Sequence, residues 1–332
     1  MGRRTITCII MMSLAMFVWG QGPNNSGTYY RNADGKKGEA LKTAFHNIIK
    51  SPSVTSYSGL INAYQSTDTR ADGYVRDWYS NSTNFRHITD KAGSYKKEGD
   101  VYNREHSVPS SWFSKESPMY SDIMHVVPTD GYVNNRRSNY PFGEVSTATY
   151  TSNNGYCKLG RSAVSGYSGT VFEPNDEVKG DFARIYFYMV TCYEDKISSW
   201  ASSNATASSV FDGKTYPGLK QWTLDMMMRW AAQDPVDDVE RARNEAVYKV
   251  QRNRNPFVDY PGLENYIWGN MQDVAFSYNS YSDVKGVAEQ ANPVRIYTLD
   301  GRKVHRKGAS KSGLKGLEKG IYIVNGRKVV VN

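Results

Sequence analysis

The sequence has 332 residues, which is enough to bury a substantial core in one large domain or two smaller ones. Its formal net charge of +8 would by itself favour a nucleic-acid partner, but the charge is unevenly spread. From Asn292 to Asn332, ten Lys or Arg stand against two acidic residues, and the chain between residues 22 and 291 is slightly acidic. This distribution excludes a broadly basic body, so any attraction for phosphate must be local.

The first twenty residues have the pattern of a secretory signal peptide. Arg3 and Arg4 precede an apolar run from Ile6 to Trp19, which is too short to span a bilayer. We expect removal after about Gly20, with an uncleaved membrane anchor as the alternative. No later stretch is apolar over a spanning length, so the sequence predicts a mature protein without a transmembrane segment, secreted or held at the cell surface.

Two cysteines, Cys157 and Cys192, remain once Cys8 leaves with that segment. An even number of cysteines in an exported protein favours one disulfide between them. Two separate buried thiols are the alternative. The chain has no Cys-x-x-Cys pair, so a structural zinc site is not favoured.

The elements in the first part of the chain follow from hydrophobic spacing. Apolar residues at helical spacing predict a helix over residues 38–50. Alternation over 72–80 predicts a short strand, and residues 81–128 read as short strands and turns. An apolar periodic segment from Phe182 to Tyr193, preceded by Asp176 and Glu177, predicts a buried helix with acidic residues at its N-terminus.

Two further helices are predicted at 217–232 and 235–250, the second beginning after an Asp234-Pro235 cap. A boundary rich in Ser, Asn, Tyr and Gly falls near 280–292. Beyond it, Asp300-Gly301 and Asn325-Gly326 each separate two strand-like runs, which predicts two β-hairpins. Their basic residues fit a solvated β surface better than a nucleic-acid site.

Polar functional groups are concentrated in two segments that contain two of the five histidines. The first places Glu105 beside His106, and adjacent residues of a strand point in different directions. The second runs from His125 to Asn134, and Thr129 or Asp130 could cap a helix that carries Asn134. A carboxylate and an amide oxygen suit Mg²⁺ that keeps several waters, and a nearby His suits the general base. These residues favour metal-assisted phosphodiester hydrolysis.

Longer motifs around these residues resemble the bacterial endonuclease I family of periplasmic and secreted nucleases, which have a ββα-metal (His-Me finger) active site. The resemblance rests on four segments spread over about residues 38–270: 105–112 (EHSVPSSW), 128–139 (PTDGYVNNRRSN), 172–189 (FEPNDEVKGDFARIYFYM) and 234–259, which begins DPVDDVERARN. Four ordered motifs are far more specific than a single Glu-His pair. The resemblance implies an α+β fold with a ββα-metal core and several helices.

The same resemblance implies that His106 is the general base and that Glu105 and Asn134 ligate the metal. It implies Mg²⁺, with Mn²⁺ or Ca²⁺ as alternatives, and cleavage of DNA and/or RNA with little sequence specificity that leaves 5′-phosphates. Family members often have two histidines before Pro-Thr-Asp, where this chain has Met124 and His125. We therefore expect His125 to support the fold behind the site. The candidates for contact with the substrate phosphate are Arg136, Arg137, Arg184, Arg241 and Arg254.

The tail resembles the C-terminal sorting domains of Bacteroidetes proteins exported by the type IX pathway, through VRIYTLDGRKV and GIYIV. It implies contact with the secretion machinery, with a retained accessory module as the alternative. The expected organisation is a signal peptide at 1–20, a nuclease domain at 22–281, a linker at 282–292 and a β-hairpin module at 293–332. We expect a monomer.

Other functional classes find little support in the motifs. There is no His-Glu-x-x-His and no Gly-x-Ser-x-Gly, which argues against a zinc protease and a serine hydrolase. A non-catalytic surface protein that binds nucleic acid or glycan is the remaining alternative. It would not need Glu105, His106 and Asn134 together.

Overall fold

The computed structural model describes residues 22–279 and three strands of the C-terminal segment, at 296–298, 320–324 and 327–331. The expected signal peptide and linker lie outside the described residues. The described residues fall into two compact units, one within residues 1–281 and the other within residues 282–332.

The helices of the first unit, in chain order, are α1 Gly38–Ile49, α2 Leu60–Thr67, α3 Gly131–Arg137, α4 Lys179–Cys192, α5 Ile197–Ala201, α6 Ala205–Val210, α7 Gln221–Gln233, α8 Asp238–Gln251, α9 Pro256–Asp259 and α10 Leu263–Ile267. Its strands are β1 Tyr102–His106, β2 Val126–Asp130, β3 Val145–Thr151, β4 Lys158–Ser162 and β5 Thr170–Glu173. The predicted mixed α+β class is confirmed for this unit.

Helix α4 is the centre of the core. Every one of its residues is buried, as expected of a helix that is apolar on most of its circumference and packs against α1, α7 and α9. Gly180 lets the start of α4 approach the loop after α7, because a Cβ at this position would lie 1.9 Å from the carbonyl oxygen of Asp234. The predicted buried helix after Asp176 and Glu177 is confirmed.

The helix predicted over 235–250 exists as α8, but its predicted cap is wrong. Asp237 caps α8 by accepting a hydrogen bond from the Glu240 N–H, whereas Asp234 accepts one from the Gly180 N–H. The helix predicted over 217–232 begins later, at Gln221, because Lys220 still has extended backbone (φ −61°, ψ 148°). The helix predicted over 38–50 is confirmed as α1.

The strand predicted over 72–80 is wrong, since this segment is a loop with a single β-bridge between Thr69 and Val75. Its backbone N–H groups donate to carbonyls in different parts of the chain and not to one partner strand. The Val75 N–H donates to the Phe85 carbonyl, and the Trp78 N–H donates to the Pro128 carbonyl. Alternation also stops at Asp77, because residues 77–80 are all buried. The loop packs beneath β2 and brings Tyr79 to the back of the site described below.

Strands β1 and β2 form a two-stranded antiparallel sheet, in which Tyr102 pairs with Asp130 and His106 with Val126. Helix α3 follows β2 directly. Asp130, one of the two caps that the sequence offered, caps this helix, because its side chain accepts hydrogen bonds from the N–H groups of Tyr132 and Val133. Strands β3, β4 and β5 form a separate antiparallel sheet in that order.

The second unit contains β6 Ile296–Thr298, β7 Gly320–Val324 and β8 Arg327–Val331, which form an antiparallel sheet in that order. Val324 pairs with Arg327, so β7 and β8 form the predicted second hairpin. The turn predicted at Asp300-Gly301 and the strand after it lie outside the described residues.

The disulfide expected between Cys157 and Cys192 is wrong, because both cysteines are free and buried. Their sulfurs lie at different places in the core: Cys157 Sγ donates to the Tyr79 carbonyl and Cys192 Sγ to the Ile49 carbonyl. The alternative of two separate buried thiols holds. In the part of the chain that the structure describes, no helix is both long enough and apolar enough to cross a bilayer.

Candidate active site

A polar cavity of about 430 Å³ opens where β1 ends. Glu105 and His106 both line it, as does Asn134 from α3. Although successive strand residues point to opposite faces, both side chains reach the cavity at the end of the strand. The structure therefore brings together the three residues for which the sequence predicted catalytic or metal-binding roles.

The Glu105 carboxylate is buried and held at one oxygen. Its Oε1 accepts hydrogen bonds from the Tyr79 hydroxyl at 2.8 Å and from Arg137 Nη1 at 2.6 Å. Burial raises the pKa of Glu105, and the Arg137 charge and the Tyr79 hydrogen bond oppose this rise. Its Oε2 has no hydrogen-bond partner among the described residues. This oxygen is also not fully enclosed by the protein. One oxygen therefore remains available to the cavity.

Arg137 connects the Glu105 side chain to the backbone that follows it. Besides Glu105, its guanidinium donates to the backbone carbonyls of His106 at 2.9 Å and Ser107 at 2.7 Å. The residue is 1% exposed. Sequence analysis proposed Arg137 as a substrate contact, whereas the structure shows a buried arginine that ties α3 to the end of β1 and orients the Glu105 carboxylate.

Asn134 lies on α3, one turn after the Asp130 cap. Its side-chain amide has no hydrogen-bond partner among the described residues, and it lines the cavity together with Glu105. Capping by Asp130 fixes where the helix begins and so fixes the angular position of Asn134. A half-buried amide without a protein partner is ready to bind a ligand.

His106 is held by its Nε2 atom, which lies 3.1 Å from the carbonyl oxygen of Tyr120. A carbonyl can only accept, so Nε2 carries the proton and Nδ1 has a free lone pair. The imidazole also lies nearly parallel to the Tyr120 ring, with centroids 5.2 Å apart. Burial, reinforced by His125 and by the charge of Arg137, lowers the pKa of His106 to about 3. The ring is therefore neutral at ordinary pH and can accept a proton at Nδ1.

His125 lies behind His106 and outside the cavity lining. It is fully buried, its Nε2 donates to the Met119 carbonyl at 2.7 Å, and its ring centroid is 5.6 Å from that of His106. Burial lowers the pKa of His125 to about 4. A supporting role for His125 stays a prediction.

Three of the arginines proposed as substrate contacts lie away from the cavity and are paired internally. Arg184 is buried against Glu240 and Asp181. Arg254 is buried against Asp259. Arg241 contacts the Val236 carbonyl and lies near Asp238. Buried carboxylates neutralise the charges of Arg184 and Arg254, and Arg241 does not line the cavity, so the structure does not favour these three as substrate contacts.

Arg136 differs, because it is exposed on α3. Its guanidinium donates to the Tyr132 hydroxyl at 2.5 Å and lies over the rings of Tyr132 and Tyr150. It does not line the cavity, so any substrate contact would be outside the reacting centre.

Sequence analysis missed other residues of the cavity lining, among them Tyr57, Arg104 and Tyr120. Tyr57 and Tyr120 stack with ring centroids 4.3 Å apart, and the Arg104 guanidinium lies 3.9 Å from the Tyr57 ring centroid. Arg104 stands directly before Glu105, and this adjacency was the available signal. Tyr57 and Tyr120 come from distant loops, which no local pattern identifies.

The donor set fits a hard divalent cation held by few protein ligands. In the described residues no cluster of three or more His, Cys, Asp or Glu is placed to hold a metal, which does not favour a closed all-protein site. The cavity instead offers Glu105 Oε2 and the Asn134 amide, neither of which has a partner among the described residues. One carboxylate and one amide leave room for water and substrate phosphate, as Mg²⁺ prefers.

Comparison with known proteins identifies the family. The family model described as Endonuclease I matches residues 37–262. The chain is 35% identical over 253 residues to a Bacillus subtilis (strain 168) protein named extracellular ribonuclease, covering 74% of this chain and 79% of that one. It is 35% identical over 248 residues to the extracellular ribonuclease of Bacillus amyloliquefaciens, covering 73% and 78%. A protein of Aeromonas hydrophila named extracellular deoxyribonuclease is 28% identical over 141 residues, covering 42% of this chain and 50% of that one. With its match over more than half of its length, the chain belongs to the Endonuclease I family and is an endonuclease.

Proposed function

We propose that this protein is a secreted, divalent-metal-dependent nuclease that hydrolyses phosphodiester bonds of DNA and/or RNA with little sequence specificity. The observation that carries the proposal is a single cavity lined by a neutral imidazole with a free Nδ1 and by two side chains, Glu105 and Asn134, with unpartnered donor atoms. The order of β1, β2 and α3 matches that of a ββα-metal site and supports the same conclusion.

His106 acts as the general base in this proposal. The Tyr120 carbonyl fixes the Nε2–H tautomer, so the Nδ1 lone pair takes a proton from the water that attacks phosphorus. The bond to the 3′ oxygen of the preceding nucleotide then breaks, and the new 5′ end keeps the phosphate. His125 and Tyr120 hold the ring in place, which fixes the direction in which the base faces.

Glu105 and Asn134 hold the metal, with Mg²⁺ the preferred ion and Mn²⁺ or Ca²⁺ as alternatives. When bound, such an ion neutralises charge on the phosphate and on the leaving oxygen. Arg137 and Tyr79 occupy Oε1 of Glu105, so only Oε2 is offered to the ion. Outer partners of this kind fix ligand orientation and tune ligand basicity.

The relatives support both the location and the substrate class. Two of them are named extracellular ribonucleases and one an extracellular deoxyribonuclease, so we propose export and leave both nucleic acids as substrates. Residues 22–291 are slightly acidic, so binding depends on the cations around the cavity and not on the whole surface. Recognition of the phosphodiester backbone, without reading bases, accounts for low sequence specificity.

We assign residues 22–281 to the nuclease and residues 293–332 to a sorting-type module that engages the secretion machinery, with type IX export as the route. A signal peptide at 1–20 starts that route. We also propose that the protein acts as a monomer.

The test is an assay of the purified protein on plasmid DNA and on RNA, with Mg²⁺ or with EDTA. We expect cleavage with Mg²⁺ and none with EDTA, and products whose 5′ ends accept ligation without added phosphate. Cleavage that is unchanged by EDTA would contradict the metal dependence. Absence of cleavage of either nucleic acid would favour the non-catalytic binding protein.

A further inference from the structure

Arg104 is fixed at the edge of the cavity by Tyr57. Its guanidinium carbon lies 3.9 Å from the centroid of the Tyr57 ring, and its Nη1 donates to the Tyr57 carbonyl at 2.9 Å. Tyr57 is itself stacked on Tyr120, so the surface beneath the guanidinium is an aromatic pair. One face and one edge of the guanidinium are thus occupied.

The other edge of this guanidinium, formed by Nε and Nη2, has no acceptor among the residues that the structure describes. Nε is buried without a hydrogen-bond partner, and no hydrogen bond joins Nη2 to another described residue. No carboxylate among the described residues lies within ion-pair distance of Arg104. A buried donor without a partner costs about 1–3 kcal/mol, so this arrangement does not serve stability.

Elsewhere in the chain, the same edge of an arginine holds two oxygens. Arg254 Nε and Nη2 lie 2.7 Å and 2.9 Å from the two carboxylate oxygens of Asp259. Arg86 holds Asp90 in the same way, at 3.1 Å and 2.9 Å. Paired oxygens of a carboxylate or a phosphate match this geometry. Arg104 presents the same edge beside a cavity and lacks the oxygens.

We propose that Arg104 binds the substrate phosphodiester in this cavity by donating to its two non-bridging oxygens, from Nη2 and, after a shift of the side chain that uncovers it, from Nε. The inference rests on the proposed function, because it places the phosphate in the cavity that holds His106 and Glu105. It assigns the phosphate contact to a residue outside the five arginines that the sequence suggested. Lysine cannot reproduce this contact, since an ammonium group has no paired donors in a fixed plane.

Binding is tested without cleavage in the full chain carrying His106→Ala, in EDTA, with a fluorescein-labelled single-stranded oligonucleotide. The dissociation constant is measured by anisotropy at several salt concentrations, for this background and after adding Arg104→Ala, Arg104→Lys or Arg161→Ala. Arg161 is an exposed arginine on β4 outside the cavity lining and serves as the matched control.

We expect Arg104→Ala to weaken binding about tenfold and to lower the slope of log affinity against log salt by about 0.7, the value for one lost phosphate contact on a single strand. Arg104→Lys should recover the slope but not the affinity, and Arg161→Ala should change neither. Binding by Arg104→Ala within twofold of the background, with an unchanged slope, would overturn the inference.

Cleavage by the otherwise unmodified chain separates this inference from the proposed function. If that chain cleaves and Arg104→Ala cleaves equally fast, the role of Arg104 is wrong and the nuclease proposal stands. If that chain does not cleave, the nuclease proposal fails. Should Arg104→Ala not fold, Arg104→Lys carries the test: an unchanged melting temperature with at least a tenfold loss of kcat/KM supports the inference, and full activity overturns it.

Discussion

Arg137 and Glu105 form a buried ion pair in which Arg137 Nη1 lies 2.6 Å from Glu105 Oε1, with side chains 1% and 3% exposed. The pair joins the last turn of α3 to the end of β1. The same guanidinium binds two carbonyls of the chain that follows Glu105, so it fixes the carboxylate and its backbone together. The position of the proposed metal ligand therefore depends on a residue that does not itself bind metal in this account.

Arg137→Ala should destabilise the protein by about 3–5 kcal/mol, because it leaves the Glu105 carboxylate buried without its charged partner. Urea unfolding measures this change. The adjacent Arg136 is exposed on the same helix, and Arg136→Ala should change the free energy of unfolding by less than about 0.5 kcal/mol. Equal effects of the two substitutions would contradict the structural role of Arg137.

Tyr79→Phe should weaken metal binding without unfolding the protein. The substitution removes the hydroxyl that donates to Glu105 Oε1 at 2.8 Å and keeps the buried ring. The Mg²⁺ concentration for half-maximal cleavage should rise about 10-fold or more. Tyr156→Phe is the matched control, because the Tyr156 hydroxyl contacts Glu177 at 3.5 Å and does not line the cavity. An unchanged Mg²⁺ requirement in Tyr79→Phe would show that this hydrogen bond does not orient the ligand.

Asn134→Ala should raise the Mg²⁺ requirement and lower the maximal rate, because the amide is one of the two proposed protein ligands. The neighbouring Asn135 is exposed on α3 and outside the cavity lining, so Asn135→Ala should behave like the parent. Titration of cleavage with Mg²⁺ distinguishes the two variants. If they respond alike, Asn134 is not a ligand.

The free energy of unfolding should decrease at acid pH, because the pKa of His125 is lower in the folded protein than in the unfolded chain. Burial gives this residue a pKa of about 4 in the folded protein, below the ordinary 6.5. Between these values the unfolded chain binds more protons, so the free energy of unfolding decreases as the pH falls from 6.5 towards 4, by an amount on the order of 3 kcal/mol. Above pH 6.5 the full contribution of His125 to the free energy of unfolding is present.

The check is urea unfolding of the parent and of His125→Gln at pH 7.5 and pH 4.5. Glutamine keeps a donor for the Met119 carbonyl and does not titrate, so the loss of stability between these pH values should shrink. The same loss in both proteins would assign the acid sensitivity to other groups.

Both cysteines should react as thiols once the protein is unfolded. Cys157 and Cys192 are buried and free, so iodoacetamide should leave them unmodified in the native protein and add two labels in denaturant without reductant. Mass spectrometry of peptides covering both positions counts the labels. Labelling that appears only after reduction would show that they form a disulfide.

The parts of the fold that followed from the sequence were those with strong local signals. The period of apolar residues in α1 and α4 marks those helices, and the short polar side chain of Asp130 marks the start of α3. The segment 72–80 alternates like a strand in sequence, but its buried residues pack against β2 and do not pair along a strand. The cap of α8 was misplaced because Asp234 binds the N–H of Gly180, a contact across the fold.

The candidate site also has residues that could be predicted from the sequence and contacts that could not. Glu105, His106 and Asn134 lie in contiguous motifs, so they could be proposed from the sequence, and the structure brings them to one cavity. Whether an arginine is free or paired depends on distant carboxylates such as Asp259 for Arg254, and sequence spacing carries no such information. Tyr57 and Tyr120 meet only in the folded chain, which is why the setting of Arg104 became visible only in the structure.

The central claim, that His106 is the general base, is tested most directly by the rate of Mg²⁺-dependent cleavage in His106→Ala. We predict a rate lower than that of the parent by about 10²–10⁴-fold, with a melting temperature close to that of the parent. A folded His106→Ala protein that cleaves as fast as the parent would contradict the account.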